Sequence, residues 1–400
     1  MQSPMPMFQP SILWGILTIA ICGFAVFYLN RWFKVRQEST ENLQMSLVGL
    51  RGFLATGVYL HHFALTFFLH SIGVWAAPNS RFYSLLGSVG VSLFFMMTGF
   101  LFWRKLLSKE GRVDWVSLYI SRVFRIVPLY WFAVGLVVLI VLWAGGPQLQ
   151  VPLRNFLRQV GYWVSFANYP DINKYKSTYS IVAGVLWTLK YEWLFYFSLP
   201  VLAVFIIFNQ KIPGLLWVIA AAILWLGYQP VYINSLLVDS KYLVYFLVGA
   251  VAASLETNKT AVSHAVRPLF SVVALISIFL SFALFNDEYL FRQAFFLALF
   301  FIPIALGNSL FGVLTLAPFK ILGDVSYSVY VLHGIVLYVL FTLLFPSAIT
   351  LQTGNGVLFH ILMTITGVAV VSLSWVTYTL VERPFMGLGR RMTSWRMNKR

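Results

Sequence analysis

Residues 47–69 read LVGLRGFLATGVYLHHFALTFFL. At 1.5 Å per residue a helix over this stretch is about 34 Å long, enough to cross a hydrocarbon core of about 30 Å. The run is apolar except for an arginine and two histidines. Ionisable groups are costly inside a bilayer, and where they occur they are functional candidates by default. Helical phase separates the histidines. At 100° per residue, the eleven steps from Arg51 to His62 end about 20° from the starting face, whereas His61 lies about 80° away. Arg51 and His62 thus share a face, about 16 Å apart along the axis. The plainer readings are an arginine that snorkels to the membrane surface and a histidine bonded to another helix.

Runs of the same kind recur near 11–29, 84–103, 123–144, 184–208, 213–231, 237–255, 268–285, 290–310, 325–345 and 356–380. Together with 47–69 they predict an all-α, polytopic transmembrane bundle of about eleven spans. Composition agrees: 60% of the 400 residues are hydrophobic and 10% charged, against about 25% charged in soluble domains. Mean hydropathy is +0.82. Such a chain has too little polar surface to cover a water-soluble body, which excludes an ordinary soluble enzyme.

The formal charge of +16 would point to nucleic acid in a soluble protein, but here the bases stand between apolar runs. With the N-terminus outside, about 20 of the 28 lysines and arginines fall at cytoplasmic ends, as the positive-inside rule requires. The first run has no basic residue ahead of it and is read as a permanent span, not a cleaved signal. The 145–183 loop is then external, and its aromatics are expected to hug the membrane surface or re-enter it. Cys22 stands alone, so no disulfide within the chain and no cysteine-based metal site is expected. No histidine spacing fits the zinc-protease helix, and no phosphate-binding glycine loop is present.

Further polar clusters interrupt the apolar pattern. Arg122 and Arg125, at i and i+3, share a helix face and can grip phosphate or carboxylate in bidentate fashion; two boundary charges are the bland alternative. Glu192, within Trp187-Thr188-Leu189-Lys190-Tyr191-Glu192, is the carboxylate deepest in any predicted span and needs a partner or a proton. Leu322-Gly323-Asp324-Val325-Ser326-Tyr327 leads into a span holding Tyr330 and His333. Val381-Glu382-Arg383-Pro384 closes the last span, where a helix-end salt bridge is an adequate reading.

Taken in order, these segments resemble the acyltransferase 3 family of integral membrane proteins. The resemblance rests on Arg51-Gly52 with His62 eleven residues on, Phe94 to Leu101, and Arg122-x-x-Arg125 with Pro128-x-Tyr130. It continues with Trp187-x-Leu189-x-x-Glu192-x-x-Phe195-Tyr196, then Leu322-Gly323-x-x-Ser326-Tyr327-x-x-Tyr330-x-x-His333, and ends at Glu382-x-Pro384. It implies a ten-span core, to which the 11–29 span is an addition. The expected division is 1–44 for the extra span and connector, 45–385 for the acyltransferase domain, and 386–400 for a basic cytoplasmic tail. It further implies transfer of an acyl group, often acetyl, from a cytoplasmic donor such as acetyl-CoA to a carbohydrate or glycolipid hydroxyl, in a bacterial inner membrane. His62 matches the proposed catalytic histidine and Arg51 its arginine partner, while Arg122 and Arg125 match the pair linked to the acyl donor. Glu192 is expected to orient His62 or hold a sugar hydroxyl, with Trp187, Tyr196, Ser326, Tyr327 and His333 in support. The chemistry needs a base and cations but no bound cofactor or metal. A transporter or flippase of a sugar lipid is the alternative, since intramembrane His, Arg and Glu also mark proton relays.

Overall fold

The computed structural model describes residues 8–33, 42–73, 75, 80–208, 231–233, 236–238, 240–257, 259–286, 291–346 and 355–397. These are helical or irregular except for an antiparallel ribbon, β1 (Val231–Ile233) against β2 (Leu236–Val238). The chain is a multi-pass α-helical membrane protein. Six helical stretches among the described residues are long and apolar enough to cross a bilayer. They contain α1 (Ile12–Trp32), α2 (Asn42–Ile72), α3 (Arg81–Ser108) and α4 (Trp115–Ala144). The other two begin at Ser326 and Gly356.

The expected count of eleven is not confirmed among the described residues. The runs near 237–255, 268–285 and 290–310 fold as shorter apolar helices, Leu243–Glu256, Pro268–Leu284 and Arg292–Ala305. The run at 213–231 lies almost wholly outside the described residues. Between α4 and α6 (Trp187–Phe208) stands the short helix α5 (Leu153–Val164). The later helices are α7 (Leu243–Glu256), α8 (Lys259–Ala265), α9 (Pro268–Leu284), α10 (Phe291–Ala305), α11 (Ala317–Asp324), α12 (Ser326–Tyr338), α13 (Gly356–Thr377) and α14 (Arg383–Met397).

Small residues let the helix backbones close up, as packing within a membrane requires. Gly99 of α3 lies against the Phe246 carbonyl of α7, and Gly249 of α7 against the Met96 carbonyl of α3, so that any Cβ there would overlap backbone. Gly52 of α2 meets α11 in the same way: an added Cβ would sit 2.9 Å from the Phe319 carbonyl oxygen. These contacts seat α3 on α7 and α2 on α11. The additional helix α1 packs on α13, where Trp14 Nε1 donates to Thr364 Oγ1 at 3.1 Å and to the His360 carbonyl at 3.2 Å.

The basic approach to the 123–144 run is continuous with it. Asp114 caps α4, accepting from the Ser117 backbone N–H at 3.3 Å and its hydroxyl at 2.8 Å. α4 then runs on through Arg122 and Arg125. At the far end of the chain, α13 passes into α14 through a wide π-helical turn, Tyr378–Glu382. Pro384 has no N–H to give the Leu380 carbonyl, so the regular ladder cannot continue there. The widened turn buries Glu382, as such turns often do at functional positions.

The 145–183 loop is mostly a packed cap. Leu153 and Leu157 of α5 are exposed, as a helix lying on the membrane surface would leave them. Trp163, however, is fully buried: its Nε1 donates to the Pro170 carbonyl at 2.8 Å, and its own carbonyl accepts from the Tyr130 hydroxyl. Tyr169 and Tyr179 stack with ring centroids 4.8 Å apart. Burial pushes both phenols up from their ordinary range, so they serve as neutral donors, to the Leu186 and Gly184 carbonyls. Gly334 of α12 presses against Val182, where a Cβ would overlap backbone. The cap thus rests on the helix that carries His333.

Candidate active site

Two cavities adjoin in the middle of the bundle. The first, of about 140 Å³, is lined by Arg51 from α2, Arg122 and Arg125 from α4, Glu192 and Tyr196 from α6, and Ser326 and Tyr327 from α12. Seven residues singled out in sequence from four separate segments therefore converge. Phe94, Phe95, Met97, Thr98 and Leu101 of α3 form its apolar wall. The second cavity, of about 270 Å³, is lined by His61, His62, Gly87, Gly184, Trp187, Tyr242 and neighbours. Val91 and Tyr330 line both.

The arginines are not equivalent. Arg125 is ion-paired with Glu382, whose other carboxylate oxygen accepts from the Ser328 hydroxyl at 2.9 Å. The helix-end salt bridge expected at Glu382-Arg383 is thus a bridge between distant segments. Arg122 sits over the Phe102 ring, 5.3 Å from its centroid, and makes a long bond to Ser121 Oγ at 3.3 Å. Most of its guanidinium donors remain for a ligand. Glu192 accepts from the Tyr196 hydroxyl at 2.9 Å, and its electrostatic neighbours are Arg122, Arg51 and Arg125. The Ser326 hydroxyl, on a residue 1% exposed, has no hydrogen-bond partner among the described residues.

The histidines have separate partners. His61 Nδ1 lies 2.8 Å from the Tyr83 carbonyl, and its ring rests on Gly87, where an added Cβ would stand 2.7 Å from the ring. Only a protonated nitrogen can bond a carbonyl, so His61 Nδ1 donates. The same argument runs through a pair. His333 Nδ1 is 3.0 Å from the Val329 carbonyl and must donate to it, which leaves Nε2 of the neutral ring with a lone pair. That nitrogen lies 3.1 Å from His62 Nδ1, which is itself 2.9 Å from the Val58 carbonyl. His62 Nδ1–H is consequently shared between Val58 O and His333 Nε2. The unprotonated nitrogen of neutral His62 is then Nε2, the form a general base needs.

His62's orienting partner is therefore His333, and Glu192 instead serves the arginine cavity. His333 itself is fully buried and lines neither cavity. Tyr330 bridges the two chambers, its hydroxyl donating to the Val185 carbonyl at 3.0 Å and accepting from Thr188 Oγ1 at 2.8 Å. Trp187 and Tyr242, with ring centroids 4.8 Å apart, wall the histidine cavity. Tyr242 was not singled out in sequence, because one tyrosine among 20 carries no positional signal.

Residues 44–379 match the acyltransferase domain described for the acyltransferase 3 family. The chain belongs to that family. A 121-residue stretch is 33% identical to the exopolysaccharide production protein ExoZ of Rhizobium meliloti (strain 1021), covering 30% of this chain and 36% of the relative. This chain thus spans about a third of that curated relative's length. No solved structure matches the chain. The acyltransferase 3 match begins after α1, and its span contains every sequence-predicted site residue; Glu382 lies just beyond it.

Proposed function

We propose that this acyltransferase 3 protein transfers an acyl group, acetyl being the simplest case, from an acyl-CoA to a hydroxyl of a carbohydrate or glycolipid. The observation that carries this reading is the pair of adjoining cavities, one cationic and one built around an unprotonated histidine nitrogen. The relative's role in exopolysaccharide production favours a polysaccharide or its lipid-linked precursor as acceptor.

At about 140 Å³ the arginine cavity is smaller than the roughly 300–1,000 Å³ of sites that hold whole ligands. It takes the thioester arm, leaving the nucleotide at the mouth, with Arg122 and Arg51 supplying charge-assisted bonds to phosphate or carbonyl oxygens. Arg125, spent on Glu382, stiffens this wall. The acceptor lies on Trp187 and Tyr242, whose rings offer apolar faces to a sugar. Its hydroxyl oxygen attacks the thioester carbonyl while His62 Nε2 takes the proton. Collapse of the tetrahedral intermediate breaks the C–S bond, and the CoA sulfur leaves and regains a proton from His62. The new bond is the ester C–O, and His62 returns to its starting tautomer. Glu192 and Tyr196 hold the arm in register.

The membrane orientation belongs to the same proposal: the arginine cavity faces the cytoplasm of a bacterial inner membrane and the loop cap faces outward. Purified protein is incubated with acetyl-CoA and membranes from a polysaccharide-producing bacterium, and free CoA thiol and ester-linked acetyl are measured together. Equal release of both, abolished in His62→Ala, is expected. Translocation of a sugar lipid with no thiol release would instead support a flippase.

A further inference from the structure

A third cavity, of about 910 Å³, lies about 100° around α2 from the arginine face, against Leu50, Leu54 and Gly57. It is independent of the transfer reading. Its walls are the Ile12, Ile16 and Ile19 face of α1 and the Leu275, Ile278, Phe279 and Phe282 face of α9. On α3 it reaches from Arg81 to Leu93, about 18 Å of helix, a little more than half of a hydrocarbon core of about 30 Å. It is one leaflet deep.

The two ends differ. At the mouth, beside Gln9 and Ser80, stands Arg81, the one charged residue in the lining. One guanidinium nitrogen, Nη1, donates to the Ala283 carbonyl at 2.6 Å, which ties α3 to the end of α9 and leaves further donors for a ligand. The floor is the turn at Leu310 to Leu314, whose Leu314 carbonyl rests on Gly49. Leu310 and Phe311 hold φ of +48° and +57°, a region that side chains other than glycine seldom occupy and that recurs at ligand clamps. The strained turn leaves the Phe311 ring 61% exposed beside the cavity.

We propose that this groove is a specific site for one anionic phospholipid, its phosphate on Arg81 and an acyl chain lying between α1 and α9. Depth, apolar walls and a single cation at the interfacial end fit an anionic amphiphile. An occupied groove would brace α2 on the side away from Arg51 and His62.

The full-length protein in neutral detergent is titrated with dioleoyl phosphatidylglycerol and with dioleoyl phosphatidylcholine, and bound lipid is counted by native mass spectrometry. We expect one phosphatidylglycerol to bind at least tenfold more tightly than phosphatidylcholine. Arg81→Gln reduces that preference to threefold or less, Arg81→Lys retains it, and the surface control Arg154→Gln leaves it unchanged. Ile278→Trp, which fills the groove from a different helix, weakens both lipids tenfold or more. Equal affinity of the unaltered protein for the two lipids, as for lipid that merely coats the surface, overturns the proposal. So does a preference that survives Arg81→Gln.

Discussion

Replacing His333 by alanine tests the tautomer argument directly. His333 touches neither cavity, and its link to the chemistry is the 3.1 Å contact with His62 Nδ1. Losing it removes one arm of a forked hydrogen bond, while the other arm, to Val58 O at 2.9 Å, still holds the proton on Nδ1. A neutral hydrogen bond contributes about 0.5–1.5 kcal/mol, which corresponds to a fall in kcat of roughly 2- to 13-fold. His62→Ala removes the base itself and should cost about 10²–10⁴-fold. The two changes act on one unit, so the double variant should be no slower than His62→Ala alone. The assay is ester formation from labelled acetyl-CoA, divided by membrane abundance of each variant. His61→Ala provides the contrast: it removes the bond to the Tyr83 carbonyl and empties the space over Gly87, should lower abundance, and should keep much of the turnover per molecule. A His333→Ala enzyme as slow as His62→Ala, or a double variant showing the product of both losses, would refute the orienting role of His333.

Four further outcomes follow from the geometry and the orientation. Arg125→Ala strands the buried Glu382 carboxylate, and breaking such a pair costs about 3–5 kcal/mol; a marked loss of folded protein on fluorescence-detected size exclusion is expected. Arg122→Lys, lacking a comparable partner, should leave abundance unchanged and raise KM for acyl-CoA severalfold, because lysine loses the bidentate fork; an unaltered KM would remove Arg122 from the donor site. Gly99→Leu drives a side chain into the Phe246 carbonyl and should abolish folded protein, whereas Gly135→Leu, with open space around it, should be tolerated. For orientation, cysteines at the exposed positions 112 and 176 in a Cys22→Ala background should differ: an impermeant reagent on intact cells should label only 176, and labelling at 112 alone would invert the topology.

Arg51, Arg122 and Glu192 stood out in sequence as separate polar groups where the hydrophobic pattern disfavours them, and Tyr196, Ser326 and Tyr327 through the family resemblance; that they line one cavity was not visible. Helical phase went further, since it put His62 rather than His61 on Arg51's face. The division of labour between Arg122 and Arg125 was not visible. Their i, i+3 spacing treats them alike, and what separates them is Glu382, brought from 257 residues away by a π-turn. The loop aromatics were ambiguous for a similar reason. Tyrosine and tryptophan serve both membrane interfaces and buried caps, and composition does not distinguish Trp163, which is buried, from Tyr162, which is 43% exposed.

The sequence by itself determined that this chain spans a membrane many times, because apolar runs of bilayer length admit no other solvent. It also marked which polar residues need partners, since each would be expelled from the spans unless something held it there. Tertiary structure decided who holds whom. Hydrogen bonds reach about 3 Å, and only the packing of α2 on α12 could bring His333 to His62. The count of spans likewise passed from pattern to packing: a helix of 14 residues such as Leu243–Glu256 is about 21 Å long, so its place in the bilayer depends on the neighbours that enclose it.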